Sequence, residues 1–188
     1  MMERKRMNPD RLVTTGVLRP KQDLVVTKWV GLEGSFLLAK EKEQILKEQL
    51  PEEFIDRVKG FYDLLSVSRD RKLAMEVGAS AMCDVSEGGI FGALWEMAAT
   101  AGVGLEVDIK KIPIRQETIE ICEVFDINPY LLISGGALLI GADNGNYLVE
   151  TLKKAGIHAA VVGYATEGND RVVVNREERR FLEPPRYR

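Results

Sequence analysis

Short runs of β-branched and apolar residues alternate with longer stretches of helical periodicity, and glycines mark the junctions. That alternation restricts the fold more than any other feature. "LVVTKWV" (24–30), "ASAMC" (79–83), "VGLEVDI" (103–109), "ALLIGA" (137–142), "HAAVVGYAT" (158–166) and "RVVVNR" (171–176) read as strands. Residues 35–49, a segment following Pro51, and residues 69–77, 89–101 and 116–125 read as helices, as does "NGNYLVETLKKAGI" up to Gly156. In the second of these, Phe54, Val58, Phe61 and Leu65 recur at spacings of four and three, which marks one buried face. "GLEG" (31–34) reads as a turn. "EGND" (167–170) reads as a tight turn that folds 171–176 back on 158–166 as a hairpin. Strands interleaved with helices, plus an antiparallel hairpin, predict an α/β fold: a mixed sheet with helices on both faces.

The 188 residues suit one domain. We expect an amino-terminal arm and linker over 1–19, with a loose basic stretch at 1–11, then a single α/β domain over 20–176. The arginine-rich tail over 177–188 has no periodicity and is expected to fray or dock outside. Hydrophobic residues at 45% and charged residues at 29% exclude disorder over the whole length. A net charge of -3 calls for neither nucleic acid nor an anionic membrane. The tail arginines alternate with Glu177, Glu178 and Glu183, so they give no single-signed patch. "MMERKRMNPD" leads into no apolar region, and apolar runs fall far short of the roughly 20 residues needed to cross a bilayer. Cys83, Cys122 and His158 lie at no metal-ligand spacing. A reduced, cytoplasmic chain is expected.

The chemistry concentrates in "CDVSEGG" (83–89), between a strand and a helix. Two readings compete there. In the first, Asp84 or Ser86 accepts an amide hydrogen bond at the helix start, and Glu87 favours the dipole. In the second, Gly88 and Gly89 let a phosphate approach the helix amides, and a proton or a Mg²⁺ ion reconciles it with Asp84 and Glu87. A second loop, Ser134, Gly135 and Gly136, is either a bend into a buried strand or a facing amide-lined wall. Lys28 and Glu33 flank the "WVGLEG" turn, which either borders a pocket or links strand to helix. Glu96 lies off the apolar stripe of its helix and is expected to be solvated. A carboxylate beside Cys83 raises its thiol pKa, so Cys83 is a poor nucleophile, and Cys122 reads as core. His158 has no acid or serine partner at close spacing, so no triad is indicated.

"AMCDVSEGGIFGALWEMAATAGVGLEVDIKKIPI" (81–114) resembles the carboxy-terminal domain of the aminoimidazole ribonucleotide (AIR) synthase superfamily. The likeness is nearest to proteins related to that synthase and to the hydrogenase maturation protein that makes a thiocyanate ligand precursor. Members carry an aspartate, a Ser or Thr, and a Gly-Gly that opens a helix, matched by Asp84, Ser86, Gly88 and Gly89. An Ile-Pro-Ile corner is matched by 112–114 and an "NPY-L--SGG-LL" segment by 128–139. "PKQDLVVTKWVGLEG" (20–34) is similar to the family's linker into this domain.

The resemblance implies a three-layer α/β/α unit that closes over substrate, in an enzyme whose amino-terminal domain builds a dimer and supplies most ATP- and metal-binding acids. It implies ATP-dependent phosphoryl activation of an amide or carbamoyl-type oxygen. ATP and Mg²⁺ are then cofactors of the full-length enzyme, and none is expected tightly bound to this chain. It further implies Asp84 and Glu87 as the catalytic pair. Ser86, Gly88 and Gly89 are implied as phosphate ligands, with Ser134, Gly135 and Gly136 as the opposite wall. No residue is assigned as a metal ligand. The implied partners are an amino-terminal ATP-binding domain or a separate protein carrying it, a small phosphorylated ligand, and a second copy in a homodimer. Nucleic acid and membrane are not among them.

The amino-terminal domain of ~150 residues expected from domain sizes is not in this sequence. The chain is therefore expected to be a fragment or a stand-alone relative with little turnover alone. It ends "PPRYR", without the reactive cysteine that the maturation protein carries at its extreme carboxy-terminus, so thiocarbamate chemistry is not implied. "SGGALL" lacks the acid that some relatives place after the glycines, so thiamine-phosphate kinase activity is not implied either. The alternative of another class is a non-catalytic phospho-ligand-binding or assembly domain working with a separate partner.

Overall fold

The computed structural model describes residues 16–186, and the expected arm over 1–11 lies outside the described residues. Seven strands form one sheet: β1 (Asp23–Thr27), β2 (Ala81–Asp84), β3 (Gly104–Asp108), β4 (Leu138–Ala142), β5 (Ala159–Thr166), β6 (Arg171–Asn175) and β7 (Glu178–Phe181). Their spatial order is β2-β4-β1-β5-β3-β6-β7. Every neighbouring pair is antiparallel except β3 and β6. The helices are α1 (Leu32–Glu41), α2 (Glu43–Lys47), α3 (Glu52–Lys59), α4 (Ser68–Glu76), α5 (Gly89–Ala101), α6 (Gln116–Val124) and α7 (Gly145–Lys154).

Alternation along the strands builds two cores. Leu24, Val26, Ala81, Cys83 and Leu139 point to one face and pack with Ile90, Leu94 and Met97 of α5. Val25, Met82, Leu138 and Ile140 point to the other and pack with Ala74 of α4 and Leu148 and Leu152 of α7. Burying each such large side chain contributes roughly 1.5–3 kcal/mol. Helices therefore cover both faces of a mixed sheet, the α/β/α arrangement expected. A third cluster joins α1, α2, α3 and α6 through Leu32, Ala39, Leu46, Ile55 and Ile121.

The expected turn at "GLEG" is instead a helix start. Gly31 takes the left-handed conformation (φ 76°) and α1 begins at Leu32. The expected single helix over 35–49 is two helices, because Lys42 leaves helical geometry and closes α1 with its amide on the Leu38 carbonyl. The hairpin expected between 158–166 and 171–176 does not form. β3 inserts between them, antiparallel to β5 and parallel to β6. Gly163 permits this close pairing, since a Cβ there would collide with the Glu106 carbonyl and lie 2.8 Å from Val107 Cα.

The actual hairpin joins β6 to β7 through Arg176 and Glu177. Part of the expected tail is thus sheet, and Leu182 beyond it donates its amide to the Arg171 carbonyl at 2.8 Å. At the other end, Leu18 is buried, and the Arg19 amide donates to Gln22 Oε1 at 2.8 Å, so these residues of the expected arm belong to the domain. The segment likened to a linker contains β1, which lies inside the sheet between β4 and β5.

Candidate functional site

β2 ends at Asp84, opposite Leu138 at the start of β4. The Val85 amide extends the ladder by donating to the Ala137 carbonyl at 3.2 Å. The two glycine loops therefore lie side by side at one end of the sheet.

Their amides are arranged by the protein itself. Gly88 caps α5 in the left-handed conformation (φ 82°), and no side chain caps the helix. The Gly89 amide donates to the Ser86 carbonyl at 3.0 Å, and the Phe91 amide to the Tyr130 carbonyl at 3.2 Å. The capping reading of Asp84 or Ser86 is thus corrected: the Ser86 backbone takes that place. Gly89 (φ 61°) is buried against residues 130–131, where a Cβ would lie 2.8 Å from Leu131 Cα. Ser134 is fully buried. Its hydroxyl accepts from the Gly31 amide and donates to the Leu132 carbonyl, both at 2.7 Å. The Gly135 amide donates to Glu33 Oε2 at 3.1 Å, and Gly136 packs on the backbone of Leu64 and Leu65. Ser134 and Gly135 thus tie the second loop to α1, which is a positioning role.

Strand parity sends Asp84 to the Met82 face, toward α4. There Arg71 Nη2 donates to Asp84 Oδ1 at 2.8 Å, with side-chain exposures of 21% and 41%. Ser86 is half-buried and Glu87 exposed. On the opposite face, an open groove of about 780 Å³ runs past the start of α5. Gly88, Phe91, Tyr130, Leu131, Phe181 and Pro185 contribute to its walls. Phe91 and Tyr130 stack with centroids 5.2 Å apart. Of the candidate residues, Gly88 lines this groove, whereas Asp84 and Glu87 do not.

Sequence reasoning missed Arg71, the Phe91–Tyr130 stack and the wall that follows β7. The periodicity of "RDRKLAMEV" places α4, but only the observed packing brings Arg71 to Asp84. It also missed the ion pair between Lys28 and Asp70, which are both buried and 3.4 Å apart. Lys28 Nζ also donates to the Leu64 and Ser66 carbonyls at 2.8 and 2.6 Å.

Burial, then Glu96 and Asp84, push the Cys83 thiol far above its ordinary range. Cys83 is a core cysteine of β2, as read from the sequence. Glu96, expected in solvent, is half-buried and acts on that thiol. Burial pushes Cys122 up to about 11. Burial, with Lys153 and Arg115, holds the His158 imidazole below its ordinary range, edge-on to Trp29 at 4.8 Å.

This fold and its paired glycine loops define an α/β domain with one loop-bearing end. Residues 19–175 match the family described as AIR synthase related protein, C-terminal domain, and the chain belongs to that family. It is similar to the carbamoyl dehydratase HypE of Rhodobacter capsulatus, 26% identical over 132 residues, which are 70% of this chain and 36% of that protein. It is also similar to a selenide, water dikinase of Porphyromonas gingivalis, 25% identical over 87% of this chain and 53% of that one. The chain thus spans between about a third and a half of these curated relatives. The solved hydrogenase maturation protein HypE in complex with ATP shares the fold, with a TM-score of 0.69 and 17% identity over 90% of this chain and 52% of that one.

Proposed function

We propose that this chain is the substrate-side domain of an ATP-dependent enzyme of the AIR synthase type. It works with an ATP-binding domain carried on the same polypeptide or another, and that domain brings the chain into a homodimer. The observation that carries this reading is the junction of the two glycine loops where β2 ends and β4 begins, within a family match over residues 19–175. No side chain caps the 13-residue α5, and backbone carbonyls hold its Gly89 and Phe91 amides, so what the helix start would offer an anion is the positive end of its dipole, reached over Gly88. Ser86 and Gly88 would meet the phosphate, Gly88 opens the loop onto the groove, and Gly89, its amide held by the Ser86 carbonyl, would shape the turn behind them. Asp84 and Glu87 would be the polar pair at this end. Ser134, Gly135 and Gly136 hold the second loop in place as the opposite wall.

Bound ATP would supply the phosphoryl group that activates an amide or carbamoyl-type oxygen, with Mg²⁺ balancing its charge. This chain orients the acceptor and shields it. Among the described residues no helix is long and apolar enough to cross a membrane. The two free cysteines are what favours the cytoplasmic location we propose.

Calorimetric titration tests the reading. The chain should bind inorganic phosphate weakly and show no micromolar affinity for Mg-ATP, and turnover should need the complementary domain. Micromolar Mg-ATP affinity in the isolated chain would contradict this division of roles. A second reading, a non-catalytic phospho-ligand-binding or assembly domain, is favoured by Leu131 and Phe181, which stand 53% and 72% exposed beside the groove. It is supported if the complementary domain confers no turnover.

A further inference from the structure

Asp84 lies two residues before Ser86, and although its side chain turns toward α4, its negative charge would disfavour an anion bound at the loop. The geometry points to Arg71 as the built-in counter-ion of this site: it fixes Asp84 and cancels its charge, so that the loop receives an anion without a divalent cation on Asp84. This deepens, and rests on, the proposed role of the loop as an anion site. Three observations carry it. Arg71 Nη2 lies 2.8 Å from Asp84 Oδ1, a charge-assisted contact in which the Arg71 side chain is about four-fifths buried and the Asp84 side chain partly open.

The neighbouring acid, Asp70, does not compete, because it is buried and lies beside Lys28. Arg71 Nη1 is buried without an acceptor among the described residues, and the contact with Asp84 is the ion pair that balances the guanidinium. Lys28 also sets the reach of Arg71. Its ammonium binds the Leu64 and Ser66 carbonyls and sits against Asp70, which fixes the first turn of α4. Arg71 is the next residue along that turn. Arg71 is therefore a positioning residue, acting on the ligand through Asp84.

The roles separate by charge arithmetic. Inorganic phosphate is titrated into the purified chain at low salt with EDTA present, followed by phosphorus NMR. Arg71→Met leaves the Asp84 charge uncancelled and should weaken phosphate binding by about threefold to tenfold, the scale expected for an uncancelled unit charge near a surface at low salt. Arg71→Lys should stay near wild type. Asp84→Asn leaves Arg71 uncancelled and should bind phosphate more tightly than wild type. The double variant, with both charges gone, should return to within about twofold of wild type on the same scale.

A double variant as weak as Arg71→Met would mean that Arg71 touches the phosphate itself, and would overturn the proposal. So would an Asp84→Asn variant that binds no more tightly than wild type, a result that does not require the Arg71 variants to fold. Phosphate bound by Asp84→Asn but not by wild type would uphold the charge balance while refuting the anion site proposed for the native chain. Phosphate bound by neither would overturn both.

Discussion

Replacing Lys28 with Met removes a buried cation and leaves a buried anion behind. Lys28 and Asp70 have side-chain exposures of 9% and 3%, and the ammonium also serves two carbonyls. Breaking a buried pair from one side typically costs about 3–5 kcal/mol, because the stranded charge keeps its desolvation penalty. The lost carbonyl contacts belong to the same network, so we take about 4 kcal/mol as the whole effect. Against a typical total of about 5–15 kcal/mol, that is a large fraction. The assay is equilibrium urea unfolding. With a slope of about 2 kcal/mol/M, the midpoint should fall by about 2 M with the slope unchanged. Adding Asp70→Leu to Lys28→Met removes the stranded charge and should recover at least half of the loss. Because the pair is buried, 0.5 M salt, taken as roughly the upper end of a useful screening range, should leave the difference intact. A single-variant loss under about 1 kcal/mol, or a double variant no better than the single, would refute the reasoning.

Other outcomes follow from the same geometry. Gly89→Ala forces a Cβ into the backbone of residues 130–131 at a φ of 61°, and should lower stability by about 2 kcal/mol or more in thermal unfolding. Ellman's reagent at pH 8 should label neither Cys83 nor Cys122 in the folded chain and both in denaturant, since both thiols are buried and shifted upward. His158 is held below its ordinary value of 6.5, so the unfolded chain takes up its proton first. Its contribution to stability is present above that value and is lost as pH falls through and below it. His158→Gln should flatten this slope in pH-dependent unfolding.

The layers of the fold were legible because short β-branched runs and amphipathic helices leave different periods in the sequence. α5 was placed at 89–101 from its stripe, and it spans those residues. Pairing was less legible. The β5–β6 hairpin looked natural from "EGND", yet the local turn lost to β3, which fits against Gly163 and leaves β6 to pair with β7. At the site, the loops themselves announced their glycines. Their use did not: Ser134 looks like a ligand residue in sequence but is buried, with its hydroxyl held on Gly31 and Leu132. Arg71 and Lys28 carried no local signal, because both act across long sequence separations on partners that only the packing of α4 reveals.

The decisive measurement is nitrogen–proton NMR of the chain during a titration with inorganic phosphate. The account predicts saturable shifts centred on the amides of Ser86, Gly88 and Gly89. Shifts confined to other parts of the molecule, or none at any phosphate concentration, would contradict it.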